Sequence, residues 1–592
     1  MIGFERVLRA MTLIGGIVAV SGLALLSGWS AQQMENGKPK YMEPRFPSYL
    51  KPVKSTSELM PQARALVRNK SALQGLGLGI VKQGETIGLV YSIEAEDMAL
   101  QAIQQALKER GVKAVLLPEY EFAGVTKQDA LDLQKALPDH TAEDGEETAG
   151  WIEGTFPDPD GVKKWLKAQR PDLYAQIFPP QTELSAHLKE VRDKFRGPVV
   201  GKALGAYLEK HPEMSGIYWG KGGSSYLRRY LHPHEEKLLG LFLWDNQWDV
   251  MSEMSNFPAD VWQLLETQTL DPLAYIDKIR VFDPEGTDVQ ADLSQDQAER
   301  FERGVYHRGH MFMNPNQAYG RFGYSVVDYP GFQKDWLSPD PEVIFNGMIA
   351  ATNGHGGFFP RMEVHITNGD VTDIRGGGLY GDLFRTFLKY PHINDTAYPF
   401  YKRPGFFKVY EFALGTNPKG FRHPNEMLHG SGGHLVPERN RSGVFHLAYG
   451  VFVQHGPDSL EMPKEWIDFT KKYNLPIDHS FHMHNYFATY QVHLRNANRS
   501  INLVDKGHLT SLDSPEVRAL ASRYGDPTTI LSEDWVPDVP GINAAGSYDD
   551  YAKNPWVVSK AQLDKILAGT YAHYFPPAGS KNASKGAATA RP

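Results

Sequence analysis

The stretch Glu85 to Pro118, ETIGLVYSIEAEDMALQAIQQALKERGVKAVLLP, commits this chain to a parallel sheet. Ile87 to Tyr91 is a short apolar run that reads as a buried strand. Leu100, Ile103 and Leu107 recur at helical spacing, Gly111 ends that helix, and Val112 to Leu117 form the next strand. A strand, a helix and a strand in this order make a βαβ unit, whose two strands run parallel. Similar alternation returns in VGKALGAYLEKHPEMSGIYWG and KLLGLFLWDNQWDVMSEM, so residues 60–275 read as an α/β domain. HTAEDGEETAG and the Pro-rich stretches between these units read as solvated loops.

From Ile276 the texture changes to short strands with turn signals. In MEVHITNGDVTDI, Asn368-Gly369 separates two alternating runs, the pattern of a hairpin. Residues 276–575 are therefore expected to form a second, α+β domain rich in antiparallel sheet, and 592 residues are enough for two domains. Residues 32–59, with the Pro-rich KPKYMEPRFPSYLKP, read as a linker, and the small, polar, basic tail 576–592 as disordered. Residues 1–31 carry Arg6 and Arg9 ahead of an uncharged stretch, Met11 to Trp29. As a helix that stretch is about 28 Å long, against roughly 30 Å of hydrocarbon in a bilayer. It reads as either a signal peptide or a retained membrane anchor, and both place the body of the protein outside the cytoplasm.

Composition narrows the chemistry. A net charge of −8 and no run of Lys and Arg interleaved with aromatics argue against nucleic acid as a partner. The chain has no cysteine, which excludes disulfides, thiolate ligands and a cysteine nucleophile. A metal site here must be built from His, Asp and Glu. There is no G-x-S-x-G elbow and no H-E-x-x-H helix, so metal-activated water is the remaining hydrolytic mechanism.

Four stretches of the second domain could supply such a site: SPDPEVIFNG with Glu342, VYEFALGTNPKG with Glu411, SGVFHLAYG with His446, and DHSFHMHNYF. Singly, Glu342 reads as a surface turn residue and His446 as a hydrogen-bonded core histidine. Glu411 lies in an apolar run, where a carboxylate is costly unless paired or bound to a cation. His482 and His484 share a strand face because the side-chain period is two, a spacing that suits two ligands of one metal. GKGGSS lacks the spacing of a phosphate loop, and HPHEE, HRGHM and NGHGG read as surface loops.

In order, these stretches resemble the M29 family of metal-dependent aminopeptidases over residues 80 to 520. The likeness starts in the opening βαβ unit and continues through IRVFDPEGTDVQADL. PDPEV is similar to the family's P-x-x-E-V, EVHITNGDVTDIRGGG to its hairpin, EFALGTNP to its E-x-x-x-G-x-N-P, and FHLAYG to its H-x-A-x-G. The resemblance implies a homodimer acting on a peptide or small-molecule substrate. It makes Glu342, Glu411, His446 and His482 metal ligands, with Glu411 also the general base. The chain departs from the family at two places. His484 stands where the family has an aspartate, and Val453 where it has a catalytic tyrosine, Tyr449 lying nearby but off the family spacing. A neutral histidine for an aspartate removes one negative charge, so a single metal bound by Glu342, Glu411, His446, His482 and His484 replaces the expected pair. His479 and Asp478 are alternative ligands. The ion would be Zn, Mn or Co in a hydrolase and Fe in the ring-cleaving dioxygenases that resemble this fold; a non-catalytic partner subunit is the third reading.

Overall fold

The structure is a computed structural model. It describes Met34–Glu35, Lys38–Pro39 and residues 41–575, except 73, 137–144, 179–184, 196, 221–230, 232–233, 235–236, 242–244, 255, 304–341, 356, 400, 423–436, 452–462 and 479. Two compact units result, Met1–Met42 and Glu43–Pro592. In the first, Met34–Glu35 pairs antiparallel with Lys38–Pro39. The apolar segment Met11 to Trp29 and the tail 576–592 lie outside the described residues. Among the described residues, no helix is long and apolar enough to cross a membrane.

In the second unit the βαβ reading holds. Strand β1 (Thr86–Tyr91), helix α1 (Asp97–Glu109) and strand β2 (Lys113–Pro118) follow one another, and β1 and β2 pair in parallel. Ala99, Leu100, Ala102, Ile103, Ala106 and Leu107 are the buried face of α1. Strand β3 (Met214–Trp219) lies parallel on the other side of β1, followed by β4 (Leu238–Leu241). Two short strands, Ser71–Ala72 and Gln74–Leu76, complete this sheet.

From Ile276 the chain forms a different sheet, eleven-stranded among the described residues and antiparallel at every pairing. Its strands are β5 (Ile276–Phe282), β6 (Asp288–Asp292), β7 (Asn346–Asn353), β8 (Phe358–Thr367), β9 (Asp370–Gly376), β10 (Lys408–Leu414), β11 (Phe445–Gly450), β12 (Ser480–Asn485), β13 (Thr489–Leu494), β14 (Arg499–Asp505) and β15 (His508–Leu509). The spatial order is β12-β11-β10-β9-β8-β7-β6-β5-β13-β14-β15. Asn368 and Gly369, both with positive φ, make the two-residue turn between β8 and β9.

The sheet curls. Its edge strand β12 returns over β7, where Asn485 Nδ2 donates to the carbonyl of Ala350 at 2.8 Å and Asn353 Nδ2 donates to that of His484 at 3.3 Å. Side chains thus bridge two strands that share no ladder, which is what brings the loop after β7 against the histidines of β12.

Two expectations change. Helices Gly145–Thr155, Pro159–Gln169 and Ala259–Leu270 belong by sequence to the first domain, yet Trp151, Ile152, Leu166, Val261 and Leu265 pack into the core of the large sheet. Part of the presumed linker is also built in. Phe46 and Leu50 are buried, Phe46–Pro47 pairs in parallel with Tyr574–Phe575, and Tyr49 Oη donates to Asp534 at 2.9 Å. Its prolines suggested a spacer, but its aromatic residues carry enough apolar area to anchor it.

Candidate functional site

The site is assembled by register across β10, β11 and β12. Glu411 lies opposite Ala448, and Ala448 opposite His482; in the next row Ala413 lies opposite His446, and His446 opposite His484. Two irregularities flank it. The register shifts between Val409 and Glu411 on β10, and opposite Ala448 and Tyr449 on β12, where Phe481 is the extra residue at φ 56°. Bulges of this kind re-aim the neighbouring side chain, here Glu411 and His482. Phe481 is held in this conformation by burial and by stacking on Phe384, 4.2 Å between ring centroids. The backbone N–H of His482 donates to Tyr380 Oη at 2.7 Å, which fixes the edge strand from below.

His446, His484 and Glu411 are buried and share short contacts. His446 Nε2 lies 2.8 Å from Glu411 Oε2, and His446 Nδ1 lies 2.8 Å from His484 Nε2. His484 Nδ1 lies 2.6 Å from Glu438 Oε1. The fourth histidine is one the sequence reading placed on the surface: His355, in the turn after β7. It stacks on His482 at 3.7 Å and on His446 at 4.6 Å. Gly354 permits this approach, since a Cβ there would collide with the carbonyl oxygen of His482. Nitrogens of His355, His446 and His482 all lie within 4.8 Å of one another.

Burial, with the neighbouring imidazoles and Arg439 adding to it, holds His355 well below the ordinary histidine value. Burial likewise lowers His484, against the opposing pull of Glu438. Burial thus favours the neutral form of both rings, the state in which imidazole donates a lone pair. Three imidazoles beside a carboxylate are a donor set that fits one divalent ion such as Zn or Fe. The 2.8 Å between His446 Nε2 and Glu411 Oε2 also suits two donors of one ion, since bonds of about 2.1 Å at a right angle put donors about 3 Å apart.

The expected ligands divide. Glu411, His446 and His482 come together; His484 lies one step back, with its Nε2 against His446 Nδ1 and its Nδ1 against Glu438. Glu342 is not brought there. Arg403 holds both its oxygens, at 2.6 and 2.8 Å, and Lys408 lies 3.4 Å away, so its charge is spent on two cationic side chains. Asp478 accepts from Trp151 Nε1 through its backbone carbonyl, while His479 and Val453 lie outside the described residues. Tyr449 alternates to the other face of β11, where its hydroxyl donates to Met483 Sδ at 3.3 Å. The sequence reading missed His355 and Glu438. The glycines around His355 were a signal for a tight turn with close backbone approach; nothing local marked Glu438.

No known family profile matches this chain, and no curated protein sequence matches it. Among solved structures, 2,5-dihydroxypyridine dioxygenase from Pseudomonas putida is similar over 77% of this chain and 98% of its own, at 13% identity and a TM-score of 0.33. Wild-type AmpT from Thermus thermophilus, an M29 aminopeptidase, is similar over 76% and 98%, with the same identity and TM-score. At this level the likeness is a distant one of fold, and the chemistry rests on the site itself.

Proposed function

We propose that this chain is a metal-dependent hydrolase acting on a peptide or amide bond at a mononuclear centre. The observation that carries the reading is the convergence of His355, His446 and His482 beside the buried carboxylate of Glu411. A bound divalent ion would supply the Lewis acidity that polarises a carbonyl and makes water acidic near neutral pH. His355, His446 and His482 would hold it. Glu411 sits within reach of the same space and takes the proton from the attacking water. Ala448, between Glu411 and His482 in the register, places only a methyl group between them. The order of EFALGTNP, FHLAYG and HMH along the chain supports the same reading.

A second reading has its own observation in favour. Two histidines and one carboxylate are also the donor set of non-haem iron oxygenases, and His446, His482 and Glu411 supply it. Metal content and turnover of the full chain separate the readings. Near-stoichiometric zinc, manganese or cobalt with cleavage of a peptide library supports the hydrolase; iron with oxygen uptake on a dihydroxylated ring supports the oxygenase. Bound metal with neither activity returns the chain to a non-catalytic partner.

A further inference from the structure

The turn that carries His355 reads NGHGGF over residues 353–358. Three glycines surround one histidine, so the turn has no other side chain to fix it, and its backbone is costly to order. The bond from Gly354 N–H to the carbonyl of Gly357 sets its shape. Its direction is set from outside, by the buried side chain of Arg422. Arg422 Nη2 donates to the carbonyl oxygen of Gly354 at 3.0 Å, and the guanidinium carbon lies 4.4 Å from the centre of the Phe358 ring. One planar group thus grips the residue before His355 and the first residue of β8 beyond it. A guanidinium suits this task, since it donates in its plane and stacks by its face. Arg422 is itself held from two sides. It is ion-paired with Glu438, a carboxylate buried in the turn Pro437–Asn440, which compensates its charge. Three residues earlier, Lys419 Nζ donates to the carbonyls of Thr529 at 2.8 Å and Ser532 at 3.0 Å, and pairs with Asp534 at 3.0 Å. The run EFALGTNPKGFR therefore starts with Glu411 and ends with the arginine that grips the His355 turn.

We propose that Arg422 is a positioning residue of the metal centre: by holding Gly354 and Phe358 it aims His355 at His446 and His482, and so decides whether the ion meets three imidazoles. The inference rests on the metal-centre reading and adds the group that selects its donors. With the turn held, His355, His446 and His482 converge beside Glu411. With the turn released, His446, His482 and Glu411 remain, the two-histidine, one-carboxylate set of an iron oxygenase. Partners that orient a ligand without touching the ion are worth about 10- to 100-fold in metal affinity. Here the partner acts on the backbone that carries the ligand, not on its ring.

The test uses the full chain loaded with Co(II), whose visible absorption reports the number and kind of its ligands. Arg422→Lys keeps a positive charge opposite Glu438, but an ammonium has neither the fork nor the flat face. Cobalt affinity, measured by competition with a chromogenic chelator, is expected to fall about 10- to 100-fold, and the cobalt spectrum to match that of His355→Ala. Added to His355→Ala, the same lysine is expected to cost nothing further, because a residue that acts only through His355 then has nothing left to aim. Losses that add in the double variant would overturn the proposal, as would a wild-type cobalt spectrum in Arg422→Lys. Should Arg422→Lys fail to fold, Phe358→Leu carries the same test, since it removes the ring against the guanidinium and leaves the pair with Glu438. Its loss of cobalt affinity is expected to vanish in the His355→Ala background; a loss that persists there, or no loss at all, would overturn the proposal. Wild type that binds no cobalt would refute the metal centre, and the aiming role is then read from a crystal structure of metal-free Arg422→Lys. A His355 ring moved off its 3.7 Å stack on His482 supports that role, and an unmoved ring overturns it.

Discussion

Residue by residue, the candidate metal site differs from what the sequence suggested in two ways: His355 joins it where His484 was expected, and Glu342, expected as a ligand, is held by Arg403 and Lys408 instead. The first has a measurable consequence. Alanine at His355, His446 or His482 is expected to reduce bound metal in the purified chain, whereas His211→Ala, at an exposed histidine paired with Glu213, is expected to leave it unchanged. Equal metal content in all four would reduce the cluster to stacked core histidines. For Glu411→Gln, the hydrolase reading expects turnover lower by about 10² to 10⁴, the range for loss of a general base, with metal content recorded alongside. Activity equal to wild type would remove Glu411 from the mechanism. Another histidine reports on stability. Burial opposes the charge on His508, but Glu533 at Nδ1 (2.7 Å) and Asp513 at Nε2 (2.8 Å) outweigh it and push its pKa up to about 10, with Arg441 facing Glu533 from the other side. The folded value is raised, so its stabilisation is complete below the ordinary value of about 6.5 and is lost as pH climbs from there through about 10. The melting-temperature gap between wild type and His508→Gln should therefore be largest near pH 6 and shrink toward pH 10. A gap independent of pH would show that His508 acts through packing alone.

Among the elements, the turn between β7 and β8 decides whether three histidines meet. Gly354 lets the turn lie against the backbone of β12, and its own N–H donates to the carbonyl of Gly357 at 2.9 Å, closing the loop that carries His355. Gly354→Ala must push the turn away from His482. The expected result is a folded chain with weaker metal binding and little change in the environment of Glu411 and His446, read by chelator competition and by the histidine ¹⁵N spectrum. Metal affinity equal to wild type would mean that His355 is dispensable. The bulge at Phe481 works the same way from the opposite strand. It turns His482 toward His355 while Phe384 and Tyr380 hold the edge in place.

For the whole molecule, a metal that binds only the folded chain must stabilise it by mass action. Removing divalent ions with a chelator should lower the melting temperature, and the metal that restores it most effectively names the resident ion. No shift with any of zinc, manganese, cobalt or iron would count against a metal centre altogether. Arg6 and Arg9, ahead of Met11 to Trp29, lead to a separate expectation about location. A reporter enzyme that is active only in the cytoplasm, fused after Pro592, should be silent; strong activity would place the body of the chain inside.

By itself the sequence determined what is local. The period of the apolar residues marked β1, α1 and β2, the Asn368-Gly369 pair marked the β8–β9 turn, and the alternation in HMH put His482 and His484 on one face, as their shared contacts with His446 show. Those signals need only the geometry of a few residues of backbone. Tertiary structure decided which of these groups meet. The curl of the large sheet folds β12 back over β7 and delivers His355 from well over a hundred residues away, while the turn at Pro437–Asn440 delivers Glu438 to His484. Glu342 and Glu411 looked alike as carboxylates in a motif. One met Arg403 and Lys408 and the other met His446, a difference set by sheet register and by the desolvation that makes every buried charge find its nearest partner.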